Sequence, residues 1–182
     1  MKFTEGFGMG LEMLWNIVLA NPFLIGILAF FFTGTGLLGF HKKTMRHNKL
    51  KKSGILNVDE MTGREFEEYL RILFRERGYQ VQLTPTTGDF GADLILSAKN
   101  QKVVVQAKRY KKNVGLKAVQ EVSTAKSHFN ADECWVVTNS YYTEPAKKLA
   151  ASNRVRLVDR ELLMKWMFEM KKSDEAKSAA VE

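Results

Sequence analysis

Residues 88–110 read GDFGADLILSAKNQKVVVQAKRY, and the pattern of this stretch predicts a β-hairpin. Its apolar runs at 94–97 and 102–108 are separated by a short turn, so they predict two antiparallel neighbouring strands. Alternation along the second run puts Gln106 and Lys108 on one face and the flanking valines and alanine on the other. Because Asp93 lies about as far from the turn as these residues do, its carboxylate is expected beside them.

A helix and a third strand are predicted before this hairpin. Thr62 and Glu65 have the capping-box spacing, and apolar residues follow them at helical intervals, which predicts an amphipathic helix over 63–77. Residues 79–84 alternate apolar side chains with glutamine, as a half-buried strand does, and residues 85–89 predict a turn. The three strands together form an antiparallel meander.

The chain beyond residue 110 alternates helices with short apolar strands. Helices are expected from Leu116 to Phe129, from Thr143 to about Ser152 and after Asp159, with strands at 134–138 and 155–158. Cys134 is the only cysteine, so no internal disulfide can form, and it is expected to be buried in a strand. This order predicts parallel strands joined to the meander, giving an α/β domain over 59–172 with a mixed sheet flanked by helices. A flexible tail is expected over 173–182.

The N-terminal region has a different composition, because residues 13–40 contain no charged side chain. Residues 22–40 are long and apolar enough for one transmembrane helix, which needs roughly 20 residues. Residues 41–58 follow as a juxtamembrane linker with six basic and no acidic residues. This asymmetry predicts a single-pass protein of the cell membrane, with segment 1–21 outside or at the interface and the folded domain in the cytoplasm. A cleaved signal peptide ending near Ala20 and a buried soluble helix are the less favoured alternatives.

Composition excludes several other classes of protein. Net charge is +8, but residues 59–182 carry 21 basic and 18 acidic residues, so overall charge says little about nucleic-acid binding. The three histidines lack zinc-ligand companions, and neither a P-loop nor a G-x-S-x-G motif is present. Residues 34–39 have the dinucleotide-binding glycine spacing, but they follow no strand and lie inside the apolar run.

The cluster around Asp93 can carry chemistry, and it can also be an ordinary sheet surface. Carboxylate and amide oxygens suit Mg²⁺, and a lysine beside them can orient or deprotonate a water or stabilise charge on a phosphate. Glutamine and lysine on strands are more often solvated residues, however, so the spacing alone leaves both interpretations open.

The order of several short motifs from Phe66 to Leu162 resembles the Mrr branch of the PD-(D/E)xK nucleases. The matching pieces are Phe66-Glu67, Gly78-Tyr79, Gly88-Asp89-Phe90-Gly91-Ala92-Asp93, Val105-Gln106-Ala107-Lys108-Arg109-Tyr110, Val137-Thr138-Asn139 and Leu157-Val158-Asp159. The resemblance implies a restriction-endonuclease-like core that hydrolyses DNA phosphodiester bonds with Mg²⁺ or Mn²⁺.

The resemblance also implies roles for individual residues. Asp93 matches the metal-binding aspartate, Lys108 the catalytic lysine, and Gln106 stands where the wider superfamily has Glu or Asp. The carbonyl of Ala107 would be a further metal ligand. Glu67 matches a glutamate of the first helix that acts at the site, and the helical geometry favours it over Glu68. Asp89 remains open as a turn residue or a second acid.

These expectations combine into a membrane-tethered DNA endonuclease that acts in restriction of foreign or modified DNA. Residues Arg109, Tyr110, Lys111 and Lys112 are expected to contact DNA phosphates, although a solvated strand end would look the same. The expected partners are DNA, membrane lipid around residues 22–40, and a second copy of the chain when both strands are cut. The alternatives are a non-catalytic module that anchors DNA to the membrane and a nuclease for RNA or branched DNA.

Overall fold

The computed structural model describes residues 21, 23, 26–33, 35, 54–85 and 90–179, and the chain divides into units Met1–His47 and Asn48–Glu182. The elements of the second unit are α1 (Ile55–Glu60), α2 (Gly63–Glu76), β1 (Gln80–Leu83), β2 (Leu94–Ala98), β3 (Gln101–Lys108), α3 (Leu116–His128), β4 (Glu133–Thr138), α4 (Glu144–Asn153), β5 (Arg156–Val158) and α5 (Arg160–Ala179).

The strands form one mixed sheet in the order β1-β2-β3-β4-β5. Strands β1, β2 and β3 are antiparallel, with Leu94 opposite Val105, and β3, β4 and β5 are parallel. The predicted meander followed by parallel strands is therefore confirmed. Strand β3 lies at the centre of the sheet and is the strand where the pairing changes from antiparallel to parallel.

Helices cover both faces of this sheet. Helices α2 and α5 pack on one face, against a core that includes Val103 and Val105 of β3. Helices α3 and α4 pack on the other face, against a core that includes Val104. Because side chains alternate along a strand, Gln106 and Lys108 share the face of Val104 and therefore lie under α3.

Helix α2 begins as its sequence predicts. The Thr62 side chain accepts a hydrogen bond from the Glu65 amide, and the Glu65 carboxylate accepts one from the Thr62 amide at 2.9 Å. Helix α2 leads through Gly78 into β1, which runs antiparallel to β2 and ends beside Leu94. The N-terminal turn of α2 consequently lies at the sheet end that holds Asp93.

Two helices extend beyond their predicted limits. Helix α1 lies partly in the predicted linker, and it forms because Asn57 caps the Gly54 amide while Val58 becomes fully buried. Helix α5 continues to Ala179, so residues 173–179 of the predicted flexible tail are helical, a correction to that boundary. These residues are mostly good helix formers, and no glycine or proline interrupts them.

The N-terminal unit is described only in part. Its described residues 23, 26–33 and 35 are helical, and their apolar side chains, such as Phe30, are exposed. Within the described residues, no helix is both long enough and apolar enough to cross a membrane. The remainder of the predicted segment 22–40, segment 1–20, and residues 86–89 with Asp89 lie outside the described residues.

Candidate active site

The hairpin of β2 and β3 brings the predicted residues together around Asp93. The Asp93 amide donates to the Val105 carbonyl at 2.8 Å, which extends the β2–β3 pairing by one residue. Its Oδ2 accepts hydrogen bonds from the Ala107 amide at 2.7 Å and from Nε2 of Gln106, which is buried. Two donors from β3 therefore fix the orientation of this carboxylate.

Lys108 is the last residue of β3, and its ammonium forms an ion pair with a residue of α3. Its Nζ lies 3.0 Å from Oε2 of Glu121, and the two side chains are 20% and 28% exposed. Oε1 of Glu121 lies 3.8 Å from Lys117, whose side chain is 88% exposed. The half-buried pair with Lys108 is therefore the contact that limits how far the lysine side chain can move.

These groups line a single cleft of about 380 Å³ between the β2–β3 hairpin and α3. Its walls are formed by Phe90, Asp93, Gln106, Lys108, Glu121 and Thr124. The three residues predicted from the sequence to share one site, Asp93, Gln106 and Lys108, therefore do so. The described residues of the cleft include two carboxylates, an amide and an ammonium, which together can bind a phosphate oxygen, a cation and a water.

Gly91 sets the distance between the two walls of the cleft. Its φ is +88°, and a Cβ at this position would lie 2.6 Å from the carbonyl oxygen of Glu121. Only glycine combines this left-handed backbone with so close an approach to another backbone. The neighbouring Phe90 stacks on His128 of α3 at a ring distance of 3.7 Å and forms the exposed rim of the cleft.

The structure does not bring Glu67 into this cleft. Glu67 belongs to α2, which covers the opposite face of the sheet from α3, and its Oε2 pairs with Arg64 at 2.7 Å. Among the described residues, the acidic residue that lines the cleft in addition to Asp93 is Glu121. Sequence reasoning overlooked Glu121, although helical spacing carries a signal. Glu121 lies three residues after Ala118 and four before Ala125, and because both alanines are buried, its carboxylate lies on the sheet-facing side of α3.

The four predicted DNA-binding residues fall into two groups. Arg109 is half-buried and its Nη1 lies 3.5 Å from the Asp59 carbonyl of α1, so this guanidinium contacts the protein itself. Tyr110, Lys111 and Lys112 are exposed. These three side chains are therefore the ones accessible to a nucleic acid.

Asp59 also anchors a polar network at the carboxyl ends of the parallel strands. Arg160 donates to both of its carboxylate oxygens, at 2.7 and 2.8 Å, and Asn139 donates to one of them at 2.8 Å. The hydrogen bonds from Arg160 hold the pKa of Asp59 below its ordinary value, and the same bonds raise the pKa of Arg160. Elsewhere, burial raises the pKa of the Cys134 thiol, which argues against a nucleophilic role.

The donor set of the cleft fits a hard divalent cation. Of the residues that the structure describes, Asp93, Gln106 and Glu121 line the cleft with side chains that carry oxygen atoms, and no histidine or cysteine lines it. Among the described residues, no group of three or more His, Cys, Asp and Glu could hold a metal ion by itself. A cation at this position would therefore be bound by oxygen atoms of only one or two protein carboxylates, with water or substrate completing its coordination.

A family comparison decides the identity of this domain. The family model Mrr_cat, described as Restriction endonuclease, matches residues 58–167, which span every residue of the cleft. The chain belongs to this restriction endonuclease family. Membership of the Mrr_cat family supports an endonuclease, and members of the family generally use divalent metal ions.

Among the solved structures that are similar to this chain, the one with a TM-score of 0.50 supports the restriction-endonuclease fold. The DNA modification-dependent restriction endonuclease AspBHI is 17% identical with a TM-score of 0.50, over 74% of this chain and 40% of that one. MspJI restriction endonuclease in complex with a 27-mer oligonucleotide is 18% identical with a TM-score of 0.38, over 74% of this chain and 30% of that one. The protein of unknown function AF1548 is 17% identical with a TM-score of 0.44, over 51% and 55%. This chain thus spans only about a third to a half of these structures, and no curated protein matches it.

Proposed function

We propose that this protein is a membrane-anchored, Mg²⁺-dependent endonuclease that hydrolyses DNA phosphodiester bonds in the restriction of foreign or modified DNA. The observation that carries the proposal is the cleft in which Asp93, Gln106 and Lys108 lie together. Membership of the restriction endonuclease family supports the reaction class. The substrate, the metal and the membrane anchor are parts of the proposal.

The metal would be held by oxygen atoms at the junction of β2 and β3. Asp93, the side-chain carbonyl of Gln106 and the backbone carbonyl of Ala107 are the proposed ligands. The two hydrogen bonds that Asp93 accepts from β3 support this, because they fix the carboxylate before any ligand arrives. When bound, the cation supplies Lewis-acid stabilisation of the negative charge that develops on the scissile phosphate.

Lys108 would act directly on the reacting groups. A protonated Nζ can donate hydrogen bonds to a non-bridging phosphate oxygen and to the attacking water, which orients the water for in-line attack as the phosphorus–oxygen bond to the leaving group breaks. Glu121 would act through Lys108 as a positioning residue. Their 3.0 Å ion pair, half-buried under α3, holds the ammonium at the edge of the cleft.

The described residues of the N-terminal unit are compatible with the proposed membrane helix at 22–40. In this apolar segment the hydroxyls of Thr33 and Thr35 donate to the carbonyls of Ala29, at 2.7 Å, and Phe31, at 2.9 Å. A hydroxyl that bonds to its own helix can face lipid without an unsatisfied donor. With the basic residues 41–58 on the cytoplasmic side, the N-terminus would be outside and the nuclease domain in the cytoplasm.

A single cleft of this kind cuts one strand, so the cutting of both strands would require two copies of the chain. We therefore propose a homodimer as the form that linearises DNA. The predicted catalytic role of Glu67 remains a prediction, since this carboxylate pairs with Arg64 and does not line the cleft. The role of Asp89 also remains a prediction, because Asp89 lies outside the described residues.

The experiment is a plasmid cleavage assay with the full chain, purified in a mild detergent. Unmodified and methylated plasmids are incubated with Mg²⁺, with Mn²⁺ and with EDTA, beside the variants Asp93→Asn and Lys108→Ala. The matched control is Lys117→Ala, which removes an exposed ammonium near the same glutamate. We expect metal-dependent nicking or linearisation that both site variants abolish and the control retains.

Other outcomes would favour the competing functions. DNA binding without cleavage, unchanged by Asp93→Asn and Lys108→Ala, would support a non-catalytic module that anchors DNA. Cleavage of RNA or of branched DNA, but not of either plasmid, would keep the reaction and replace the substrate. Extraction of the full chain from membranes by high salt or alkali would refute the membrane helix, because such treatment releases only peripheral proteins.

A further inference from the structure

A second concave site lies at the carboxyl ends of the parallel strands and is separate from the cleft around Asp93. It has a volume of about 410 Å³ and is lined by residues from four segments of the chain, among them Tyr110, Lys111, Asn139, Tyr141 and Arg160. The volume falls within the roughly 300–1,000 Å³ that is typical of small-ligand pockets. The proposed hydrolysis of a phosphodiester assigns no role to this pocket.

The floor of the pocket is the polar network around Asp59. Asn139, which is only 4% exposed, donates through Nδ2 to Asp59 and accepts through Oδ1 from the Tyr110 amide at 2.8 Å. Arg160 donates to both Asp59 oxygens and, at 2.8 Å, to the Asn139 carbonyl. A floor whose groups hold one another in place is pre-formed, so a ligand would not need to organise it.

Two exposed tyrosines form part of the walls, and the backbone holds their segments together. Tyr110 is 49% exposed and Tyr141 is 44% exposed. The Val114 amide donates to the Tyr141 carbonyl at 2.8 Å, and Val114 forms an isolated parallel bridge with Tyr142. Tyr142 in turn donates its buried hydroxyl to the Val136 carbonyl at 2.7 Å, so this wall is tied to β4. The aromatic faces are thus exposed on a rigid frame.

The position of the pocket relates it to the cleft. Tyr110 follows Lys108 by two residues, so their Cα atoms are separated by at most about 7 Å. In open α/β sheets, ligands bind outside the carboxyl ends of the parallel strands. The pocket lies at such ends, because Tyr110, Asn139 and Arg160 follow the last residues of β3, β4 and β5 by one or two positions. A nucleic-acid strand with one phosphate beside Lys108 would therefore bring a neighbouring nucleotide to this pocket.

We propose that this pocket binds an unpaired nucleotide of the substrate strand next to the scissile phosphate, with its base against Tyr110 or Tyr141 and its phosphate near Lys111. The inference deepens the proposed function and rests on it. It implies that the preferred substrate has a locally unpaired strand, such as an overhang, a mismatch or a base lifted from the duplex.

The chemistry of the walls favours an unpaired base over an intact duplex. A duplex offers a convex surface of phosphates and would engage exposed lysines without entering a concavity. Base–aromatic stacking requires a base whose face is accessible, and it tolerates any sequence because every base has such a face. Lys111 is the exposed cation of the pocket, and it can bind the phosphate of the same nucleotide.

The test is a binding measurement that does not depend on catalysis. Fluorescence anisotropy of the full chain in EDTA compares a labelled duplex carrying a short single-stranded overhang with the blunt duplex of the same sequence. The variants are Tyr110→Ala and Tyr141→Ala, and Tyr141→Phe retains the ring. Phe168→Ala is the matched control, because Phe168 is an aromatic residue that is 69% exposed on α5 and does not line the pocket. Circular dichroism verifies that each variant is folded.

We expect at least one alanine variant to raise the Kd for the overhang duplex by about 5- to 150-fold, the range set by the loss of one base–aromatic stack. Binding of the blunt duplex, and of both duplexes by Tyr141→Phe and Phe168→Ala, should stay within about twofold. An equal loss on both duplexes, or no loss with either tyrosine, would overturn the proposal. Asp93→Asn, measured in parallel, should abolish cleavage without weakening binding, so failure of the nuclease proposal would be recognised separately.

Discussion

Gly91 offers the most direct test of the idea that the cleft depends on contact between the β2–β3 hairpin and α3. In Gly91→Ala the new methyl group would meet the Glu121 carbonyl oxygen at 2.6 Å and its carbonyl carbon at 2.8 Å, distances that real Cβ atoms do not adopt. Because these atoms belong to backbone, no side chain can rotate away. Either α3 or the segment that carries Asp93 must move.

The expected size of the effect follows from two contributions. An L-residue in the left-handed region costs about 1–2 kcal/mol, and forcing a methyl group into a packed contact costs about 1–3 kcal/mol more. Gly78 provides a matched control, since its φ is +89° and a Cβ there would have nothing within 4 Å. Gly78→Ala should therefore lose only the first contribution, and Gly91→Ala should lose about 2–5 kcal/mol.

Urea unfolding followed by tryptophan fluorescence measures both variants, because Trp135 and Trp166 are buried in the core. Plasmid cleavage by the same preparations should fall by about 100-fold in Gly91→Ala, since a displacement of about 1 Å at a reacting group has that effect. Gly78→Ala should cleave normally. If the two variants lose equal stability and keep equal activity, the hairpin–helix contact does not organise the site.

Three further predictions concern single side chains. Glu121→Gln should lower the rate of cleavage by about 10- to 100-fold with little change in DNA binding, as changes of supporting residues of metal sites do. Lys117→Ala should leave kcat unchanged. Weaker DNA binding by Glu121→Gln would indicate instead that Glu121 contacts the substrate. Tyr69→Phe should raise the free energy of unfolding in urea by about 1–3 kcal/mol, because the Tyr69 hydroxyl is buried without a hydrogen-bond partner among the described residues. Tyr142→Phe removes a hydroxyl that is hydrogen-bonded and should lower the free energy of unfolding. A change of the same sign in both variants would contradict this reasoning. The pKa of Asp59 is held below its ordinary value of 3.8, mainly by Arg160, so its contribution to stability is fully present above that pH and is lost as pH falls through the lower folded-state pKa. The difference in urea-unfolding free energy between wild type and Asp59→Asn should therefore shrink only below about pH 4. A difference that disappears near neutral pH would refute the assignment.

Most of the fold could be predicted because its signals are local. The β2–β3 hairpin is specified by two alternating runs and a short turn, and the observed pairing of Leu94 with Val105 carries Asp93 to the position that the sequence predicted. Helix α2 is specified by its capping box. Helix α1 and the last turns of α5 cannot be predicted in this way, because short or polar helices depend on tertiary packing for their stability. In α1 this packing is provided by Val58, which is fully buried.

The location of Glu67 shows what periodicity cannot supply. Helical spacing correctly identifies which side of α2 is apolar, but both faces of this sheet are buried, so it cannot say which face α2 covers. Val103 and Val105 lie under α2 and α5, whereas Val104 lies under α3 and α4. A glutamate on α2 and a lysine on β3 can each be placed correctly on its own element and still be on opposite sides of the sheet.

The packing of α3 explains why Glu121, unlike Glu67, helps to locate the cleft. Helix α3 connects the strand that carries Lys108 to the strand beside it, and such a connection must pack back over those two strands. An acidic residue aligned with the buried Ala118 and Ala125 is then directed at the sheet, where a carboxylate is stable only beside a cation or a donor. Lys108 provides that cation at 3.0 Å. A charge on the buried side of a crossover helix is therefore a signal that the adjoining strand carries its partner, and here that partner is the residue proposed to act on the phosphate.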